Sequence, residues 1–107
     1  MERWKIERMN PQKISLSNHS ADGYVIPVGS VHLVFVKTEI GMIGCGAFDV
    51  AALERFLVPA AKMKPRTGPS ITTIEELLSA QVKEVNAPAI DRGIRVGMSG
   101  KEALEHL

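Results

Sequence analysis

The residues with the clearest chemical potential in this 107-residue sequence are Cys45 and the two glycines beside it, Gly44 and Gly46. Glycines two apart on a strand strip side chains from one face and leave bare backbone that a ligand or a packing neighbour can approach. Cys45 also precedes a helix start, where free amides and the helix dipole can activate a thiol. Asp49 at that start is a carboxylate suited to proton transfer. Cys45 and Asp49 are therefore the candidate catalytic residues, and Gly44 and Gly46 are candidate ligand-binding residues.

The same residues also fit a structural role. Cysteine is among the residue types most often buried, and Ile43 and Ala47 share the face of Cys45 on an alternating strand. A nucleophile needs a base, and the sequence does not bring any of the three histidines to Cys45. The histidines are His19, His32 and His106. In this interpretation the glycines allow close packing, and Asp49 caps the helix.

A second set of residues could bind a small anionic ligand. The turn at residues 97–100 offers backbone amides at a helix start, and Lys62, Lys64 and Arg66 alternate toward a loop rich in glycine and proline. The candidate ligand-binding residues of this set are Arg66, Ser99 and Gly100. The turn lacks the length and the lysine of a phosphate-binding loop. A capped turn and the lysines of a solvated edge strand explain the same pattern.

The elements that position these residues begin with a strand from Ser30 to Thr38, which has apolar residues on both faces, as central strands do. Residues 39–41 form a turn, and residues 42–48 return as a second strand. The pair is therefore expected to form an antiparallel hairpin over about residues 30–48. Shorter strands are expected at residues 14–16, 24–26, 60–64 and 94–96.

Helix signals follow the hairpin. Asp49 is expected to cap a helix over residues 49–57 with one buried apolar face. That face consists of Val50, Leu53, Phe56 and Leu57. Thr73 with Glu76 predicts a capping box at the start of a second helix.

Two more helix starts lie near the C-terminus. Asn86 is expected to cap a short helix with Pro88 in its first turn, and Gly93 suits the left-handed position after it. Ser99 and Glu102 predict a second capping box. The predicted fold class is therefore α+β, with a mostly antiparallel sheet built on the central hairpin and three to four helices packed on it. One compact domain, residues 1–107, is expected.

The overall composition limits the classes of function. The net charge is +1, and the scattered basic residues do not form the clustered face that nucleic-acid or membrane binding requires. A single cysteine forms no intrachain disulfide and has no second cysteine at metal-ligand spacing. The first ten residues have only Trp4 and Ile6 as strong apolar anchors, and they lack a signal-peptide core. A cytoplasmic protein without cofactor, metal, nucleic-acid or membrane partner is expected.

Several segments resemble the YunC-like family of small bacterial and archaeal proteins, which is grouped only as a domain of unknown function. The similar segments are GCGAFDV at residues 44–50, TIEELL at residues 73–78 and GIRVGMSGKEAL at residues 93–104. The similarity extends from about residue 31 to residue 107, with a longer, proline-richer loop at residues 64–70. The resemblance implies a compact stand-alone α+β domain, and it brings no activity or catalytic residue.

Two hypotheses about function follow. The leading one is a non-enzymatic binding or assembly module that works as a homo-oligomer, because a small domain gains stability by burying an edge or face against a copy of itself. The alternative is a thiol-dependent enzyme or small-anion binder centred on Cys45.

Overall fold

A six-stranded sheet runs through the part of the chain that the computed structural model describes, residues 11–107. The strands lie side by side in the order in which they occur in the chain. They are β1 (Gln12–Ser15), β2 (Ser20–Val28), β3 (Val31–Lys37), β4 (Met42–Gly44), β5 (Ala60–Lys64) and β6 (Gln81–Val85). Neighbouring strands are antiparallel except β4 and β5, which are parallel. The expected anchors Trp4 and Ile6 lie outside the described residues.

Four short helices accompany the sheet, so the predicted α+β class with a mostly antiparallel sheet is confirmed. They are α1 (Val50–Glu54), α2 (Ile74–Ser79), α3 (Ala87–Asp91) and α4 (Gly100–Glu105). Helices α2 and α4 cover one face of the sheet and bury the aliphatic core against it. Val34 and Ile43 from the central strands and Leu77 and Leu104 from the two helices are fully buried there.

The helix starts follow the predicted capping chemistry. Both capping boxes are present, one formed by Thr73 with Glu76 and the other by Ser99 with Glu102. Each box satisfies two backbone N–H groups that a helix start leaves without an intrahelical partner. After α3, Gly93 adopts a φ of +100°, the left-handed conformation expected of it.

Asn86 joins three elements through four hydrogen bonds. Its Oδ1 accepts from the backbone N–H of Ala60 at 3.1 Å and of Ala89 at 3.2 Å. Its Nδ2 donates to the carbonyl oxygens of Val50 at 3.0 Å and Val58 at 2.9 Å. Asn86 is only 3% exposed. Its side chain therefore fixes α1, β5 and α3 relative to one another.

Two predicted elements are shorter than expected. The strand expected over residues 42–48 ends at Gly44, because the N–H of Phe48 donates to the carbonyl oxygen of Cys45 at 3.2 Å and closes a tight turn. The helix expected over residues 49–57 ends at Glu54. Beyond it the chain turns through Leu57, at a φ of +60°, so that Phe56 and Leu57 are 76% and 78% exposed and not buried as predicted.

The strand pattern differs at three further places. Strand β6 was not predicted, because a register shift between Lys62 and Met63 leaves Lys83 as an extra residue and breaks the alternation. The strand predicted at residues 94–96 is absent, and a turn from Arg95 to Met98 takes its place. Strand β2 extends well beyond the predicted residues 24–26, whereas β5 agrees with residues 60–64. Because β5 is paired on both sides, its lysines do not belong to an edge strand.

Candidate functional site

Cys45 lies directly after β4, at the end of the sheet where the parallel strands finish. Its backbone N–H donates to the carbonyl oxygen of Val34 at 3.0 Å, which continues the β3–β4 pairing by one residue. The alternation therefore turns its side chain to the core face, where Met63 and Ile71 also lie. The residue is 6% exposed, and its Sγ is 3.9 Å from the carbonyl oxygen of His32.

The bare backbone expected at Gly44 is covered by the protein itself. A Cβ atom at Gly44 would lie 2.5 Å from the Phe48 ring and 2.9 Å from the Met42 methyl group. The Phe48 ring is part of an aromatic cluster, since it packs edge-on to Phe35, which stacks on Tyr24. Gly44 thus allows close packing of Phe48 on the open face of the sheet. Gly46, which lies beyond the strand, has open space around its α-carbon.

A cavity of about 330 Å³ opens beside Cys45, and three lysines contribute to its wall. We call it the lysine cavity. The lysines are Lys62 and Lys64 on β5 and Lys83 on β6. The other lining residues are Val31, His32, Cys45, Gly46, Ala47, Met63, Pro65, Pro69, Ser70 and Ile71.

The position of the lysine cavity follows from the topology. Strands β4 and β5 are parallel and end side by side, and the antiparallel strands β3 and β6 begin at the same end. The residues that follow β4 and β5 therefore surround one hollow. In open sheets, the carboxyl ends of parallel strands are where loops most often form ligand sites. The loop at residues 65–71, which follows β5, supplies one side of this hollow.

The residues around the lysine cavity are mostly of one charge sign. Within residues 11–107, they include three lysines and no aspartate or glutamate. Lys62 is the lysine with an acidic neighbour, since its Nζ lies 3.7 Å from Glu84 across the β5–β6 pair. Lys64 and Lys83 are exposed and form no ion pair with another described residue. The residues that line the hollow therefore carry a net positive charge.

The structure brings only some of the predicted site residues together. Cys45 and Gly46 line the lysine cavity, whereas the Phe48 ring covers the α-carbon of Gly44. Asp49 lies outside this lining, and its Oδ1 accepts from the N–H of Ala52 at 3.1 Å, which is the capping role. Arg66 follows the cavity-lining Pro65, and its Nε donates to the carbonyl oxygen of Ser79 at 3.0 Å.

Ser99 and Gly100 are engaged in packing and capping at the start of α4. The N–H of Ser99 donates to Glu102, and this hydrogen bond lowers the pKa of the Glu102 carboxyl. The N–H of Gly100 donates to the carbonyl oxygen of Ala80 at 3.0 Å. A Cβ atom at Gly100 would be 2.3 Å from the carbonyl oxygen of Leu77, so glycine here lets α4 approach α2.

Two features of the lysine cavity were not recognised from the sequence. Lys83 was missed because β6 was missed, and the signal was a pair of valines, Val82 and Val85, with an irregular spacing between them. The relation of the histidines to Cys45 also required the fold. His32 lines the same cavity as Cys45, whereas His19 and His106 line a separate cavity.

Between residues 11 and 107, no group of three or more His, Cys, Asp or Glu residues is arranged to hold a metal ion. None of the helices in the same region combines the length and the apolar character needed to cross a bilayer.

Comparison with known proteins places this arrangement in a family. The model of a domain of unknown function, DUF1805, matches residues 44–107, which include Cys45, β5, β6 and the loop between them. The chain belongs to the DUF1805 family. The uncharacterized protein YunC of Bacillus subtilis (strain 168) is 33% identical over 96 residues, covering 90% of this chain and 94% of YunC. The resemblance seen in the sequence is thereby confirmed.

The fold of this DUF1805 protein also occurs in a solved structure. The crystal structure of a protein of unknown function, TA1206 from Thermoplasma acidophilum, superposes with a TM-score of 0.79 at 22% sequence identity. The match covers 92% of each chain. At this identity the likeness concerns the fold, and no established activity comes with any of these relatives.

Proposed function

We propose that this DUF1805 chain is a binding module that holds a small anionic ligand in the lysine cavity. The observation that supports the proposal is the grouping of Lys62, Lys64 and Lys83 around one hollow whose described lining contains no carboxylate. Lys64 and Lys83 form no ion pair with another described residue, so a bound anion would give both a counter-charge.

The size and lining of the cavity define the class of anion. A volume of about 330 Å³ is at the small end of ligand pockets, which typically measure roughly 300–1,000 Å³. Lysine ammonium groups act as compact point charges, the usual partners of phosphate groups. The hydroxyl group of Ser70 and the open backbone at Gly46 add polar groups to the wall. We therefore expect a compact, multiply charged anion such as phosphate or pyrophosphate.

The proposal assigns Cys45 to the wall of the cavity and does not involve it in a covalent step. Its residue is 6% exposed, and its sulfur contacts a backbone carbonyl oxygen. The sulfur is adjacent to the anion without needing to attack it. We expect the protein to act in the cytoplasm, where a reducing environment keeps this thiol free.

Isothermal titration calorimetry with phosphate and pyrophosphate tests the binding proposal. A double variant, Lys64→Gln with Lys83→Gln, should lower the affinity by about tenfold or more, because two charge-assisted contacts are lost. The matched control is Lys101→Gln, which removes a positive charge from an exposed position on α4 outside the cavity. Wild-type protein that binds neither anion at millimolar concentration would contradict the proposal, as would a double variant with unchanged affinity.

We also propose that the chain assembles as a homo-oligomer through Phe56 and Leu57. These adjacent residues are 76% and 78% exposed, the highest exposures among the large apolar residues described. Exposed apolar groups of this size commonly mark contact surfaces, and burying them against a second copy removes them from water. The left-handed φ of Leu57, +60°, is an unfavourable conformation for leucine, and it directs this pair away from the core.

The oligomer is tested by sedimentation or light scattering at micromolar concentration. The double substitution Phe56→Ser and Leu57→Ser should convert an oligomer to monomer. Val28→Ser with Val31→Ser is the matched control, since both valines are 54% exposed at the tip of the β2–β3 hairpin. A monomeric wild-type protein would refute assembly. An oligomer unaffected by the Phe56 and Leu57 substitutions would refute this surface.

A further inference from the structure

The face of the sheet that lies away from α2 and α4 carries a row of apolar side chains on β2 and β3. Three pairs of residues lie directly opposite each other across these two strands, and we call them the apolar ladder. The pairs are Tyr24 with Phe35, Ile26 with Leu33, and Val28 with Val31. Residues opposite each other in neighbouring strands project from the same side of a sheet, so the six side chains form one continuous surface.

The alternation along β2 identifies the face that carries the apolar ladder. Gly23 faces the core, since a Cβ atom there would lie 2.7 Å from the side chain of Ile74 on α2. Tyr24, the next residue, therefore points away from that helix, and the rest of the ladder shares its side of the sheet. The ladder is most exposed at the hairpin tip, where its two valines are each 54% exposed. Contiguous apolar side chains on a surface mark binding sites, whereas scattered ones do not.

The apolar ladder adjoins the lysine cavity. Val31 belongs to both, since it lines the cavity and forms the last pair of the ladder. A second connection runs across the sheet, because Phe35 is opposite Gly44 and Gly44 is opposite Lys62. The Phe48 ring covers Gly44 between them. Since neighbouring strands are about 4.8 Å apart, the backbones of Phe35 and Lys62 lie about 10 Å apart on one face.

The pairing of β5 and β6 groups the lysines beside this apolar surface. Lys62 and Lys64 alternate with the buried Met63, so both project from the face that carries the ladder. Lys83 is the extra residue of the β5–β6 bulge and lies between the partners of Lys62 and Met63. One face of the sheet thus has an apolar strip on β2 and β3 and lysines on β5, with the end of the short strand β4 between them.

We infer that the ligand of the lysine cavity is an anionic amphiphile, with its charged group at the lysines and its alkyl chain on the apolar ladder. The inference rests on the proposed function, because it takes the anion site as given and adds a chain to the anion. A phosphate without a chain would leave the exposed valines in water. An alkyl chain that lies along them removes apolar surface of both partners from water.

Calorimetry with methyl phosphate and n-octyl phosphate, below the concentration at which micelles form, tests the inference. The two compounds carry the same charged group and differ in the chain. Each fully buried methylene is worth about fourfold in affinity, so even a partly buried octyl chain should tighten binding by about tenfold or more. n-Octanol, which lacks the anionic group, should bind about tenfold or more weakly than octyl phosphate, because the charge-assisted contacts are lost.

Variants separate the chain from the charged group. Val28→Ser with Val31→Ser should weaken octyl phosphate binding about tenfold and leave methyl phosphate binding unchanged, because only the chain reaches the ladder. Lys64→Gln with Lys83→Gln should weaken the binding of both compounds. The matched control is Val96→Ser, since this valine is 65% exposed and lies outside both the ladder and the cavity.

The outcomes distinguish the inference from the proposal on which it rests. Binding of phosphate or methyl phosphate with no gain from the octyl chain would overturn the amphiphile and leave the anion site intact. No binding of phosphate, pyrophosphate or octyl phosphate would overturn both. Octanol that binds as tightly as octyl phosphate would overturn the role of the lysines. Sedimentation with phosphatidylglycerol vesicles, without binding of monomeric octyl phosphate, would assign the surface to a membrane and overturn the inference.

Discussion

The sulfur atom of Cys45 lies 3.9 Å from the backbone carbonyl oxygen of His32, on the neighbouring strand β3. The thiol therefore points across the β3–β4 pair into the protein and not out of the turn that follows β4. The residue is 6% exposed and is among the residues that line the lysine cavity. The thiol shares the core face of the sheet with Met63, whereas Lys62 and Lys64 flank Met63 on the opposite face of β5.

The first prediction concerns the reactivity of this thiol. Iodoacetamide should modify Cys45 about tenfold or more slowly in the folded protein than in urea, because burial limits access. Intact-mass spectrometry over time measures both rates on the single cysteine of the chain. Equal rates in the two conditions would show that the sulfur is freely accessible, and the placement of Cys45 on the core face would then be wrong.

The second prediction concerns the buried amide that joins α1, β5 and α3. Asn86→Ala should lower the free energy of unfolding by about 3 kcal/mol or more. The substitution removes the hydrogen-bond partner of several backbone groups, and each buried group left without a partner costs about 1–3 kcal/mol. Asn86→Asp should also destabilise, since it keeps an acceptor for Ala60 and Ala89 but removes the donor to Val50 and Val58. Urea unfolding followed by circular dichroism measures both losses. A loss below about 1 kcal/mol in Asn86→Ala would contradict the joining role.

The third prediction compares two glycines. Gly100→Ala should destabilise the protein by about 1–3 kcal/mol, because the new methyl group would meet the backbone of α2 at Leu77, which cannot rotate away. Gly46→Ala enters open space and should change stability by no more than about 0.5 kcal/mol. Urea unfolding midpoints of the two variants, compared with that of the wild-type protein, measure both changes in stability. Similar losses at both positions would mean that α4 does not rely on this close approach.

The fourth prediction concerns pH. The backbone N–H of Thr72 donates to Glu76, and that of Ser99 donates to Glu102, so the pKa of each carboxyl is lowered from its ordinary value of 4.5. A lowered folded-state pKa means that the stabilisation is fully present above the unfolded-state value and is lost as the pH falls through the folded-state value. Stability should therefore decline below about pH 4.5.

Carbon-13 spectra of the glutamate carboxyl groups measure these pKa values directly. Glu102→Gln should weaken the decline with pH, because glutamine can complete the capping box without titrating. Titration of Glu76 and Glu102 at or above 4.5 would show that the capping hydrogen bonds do not persist in solution.

Features set by neighbouring residues could be predicted from the sequence. The capping boxes at Thr73 and Ser99, the Asn86 cap and the left-handed Gly93 each depend on a few residues close in the chain. The β3–β4 hairpin is similarly local, because a short turn fixes its pairing.

Features set by distant contacts could not be predicted. Phe56 and Leu57 have the helical spacing of a buried face, yet α1 ends before them. Strand β6 escaped detection because the bulge against β5 is created by pairing and not by local propensity. Lys83 was not among the predicted site residues because it lies on this undetected strand. The alternation rule placed Cys45 correctly on a face, but only the fold showed that Lys62, Lys64 and His32 line the same hollow.

The flank of the sheet beyond β6 is already occupied by the chain's own backbone. The N–H of Val82 donates to the carbonyl oxygen of Met98 at 2.8 Å, and the N–H of Gly97 donates to that of Val82 at 2.9 Å. Among the six strands, β1 is then the one whose outer side is not covered by a described segment. The N–H and C=O groups of Val82 are therefore not available to a strand of another chain, and this part of β6 cannot serve as a template for edge-to-edge aggregation.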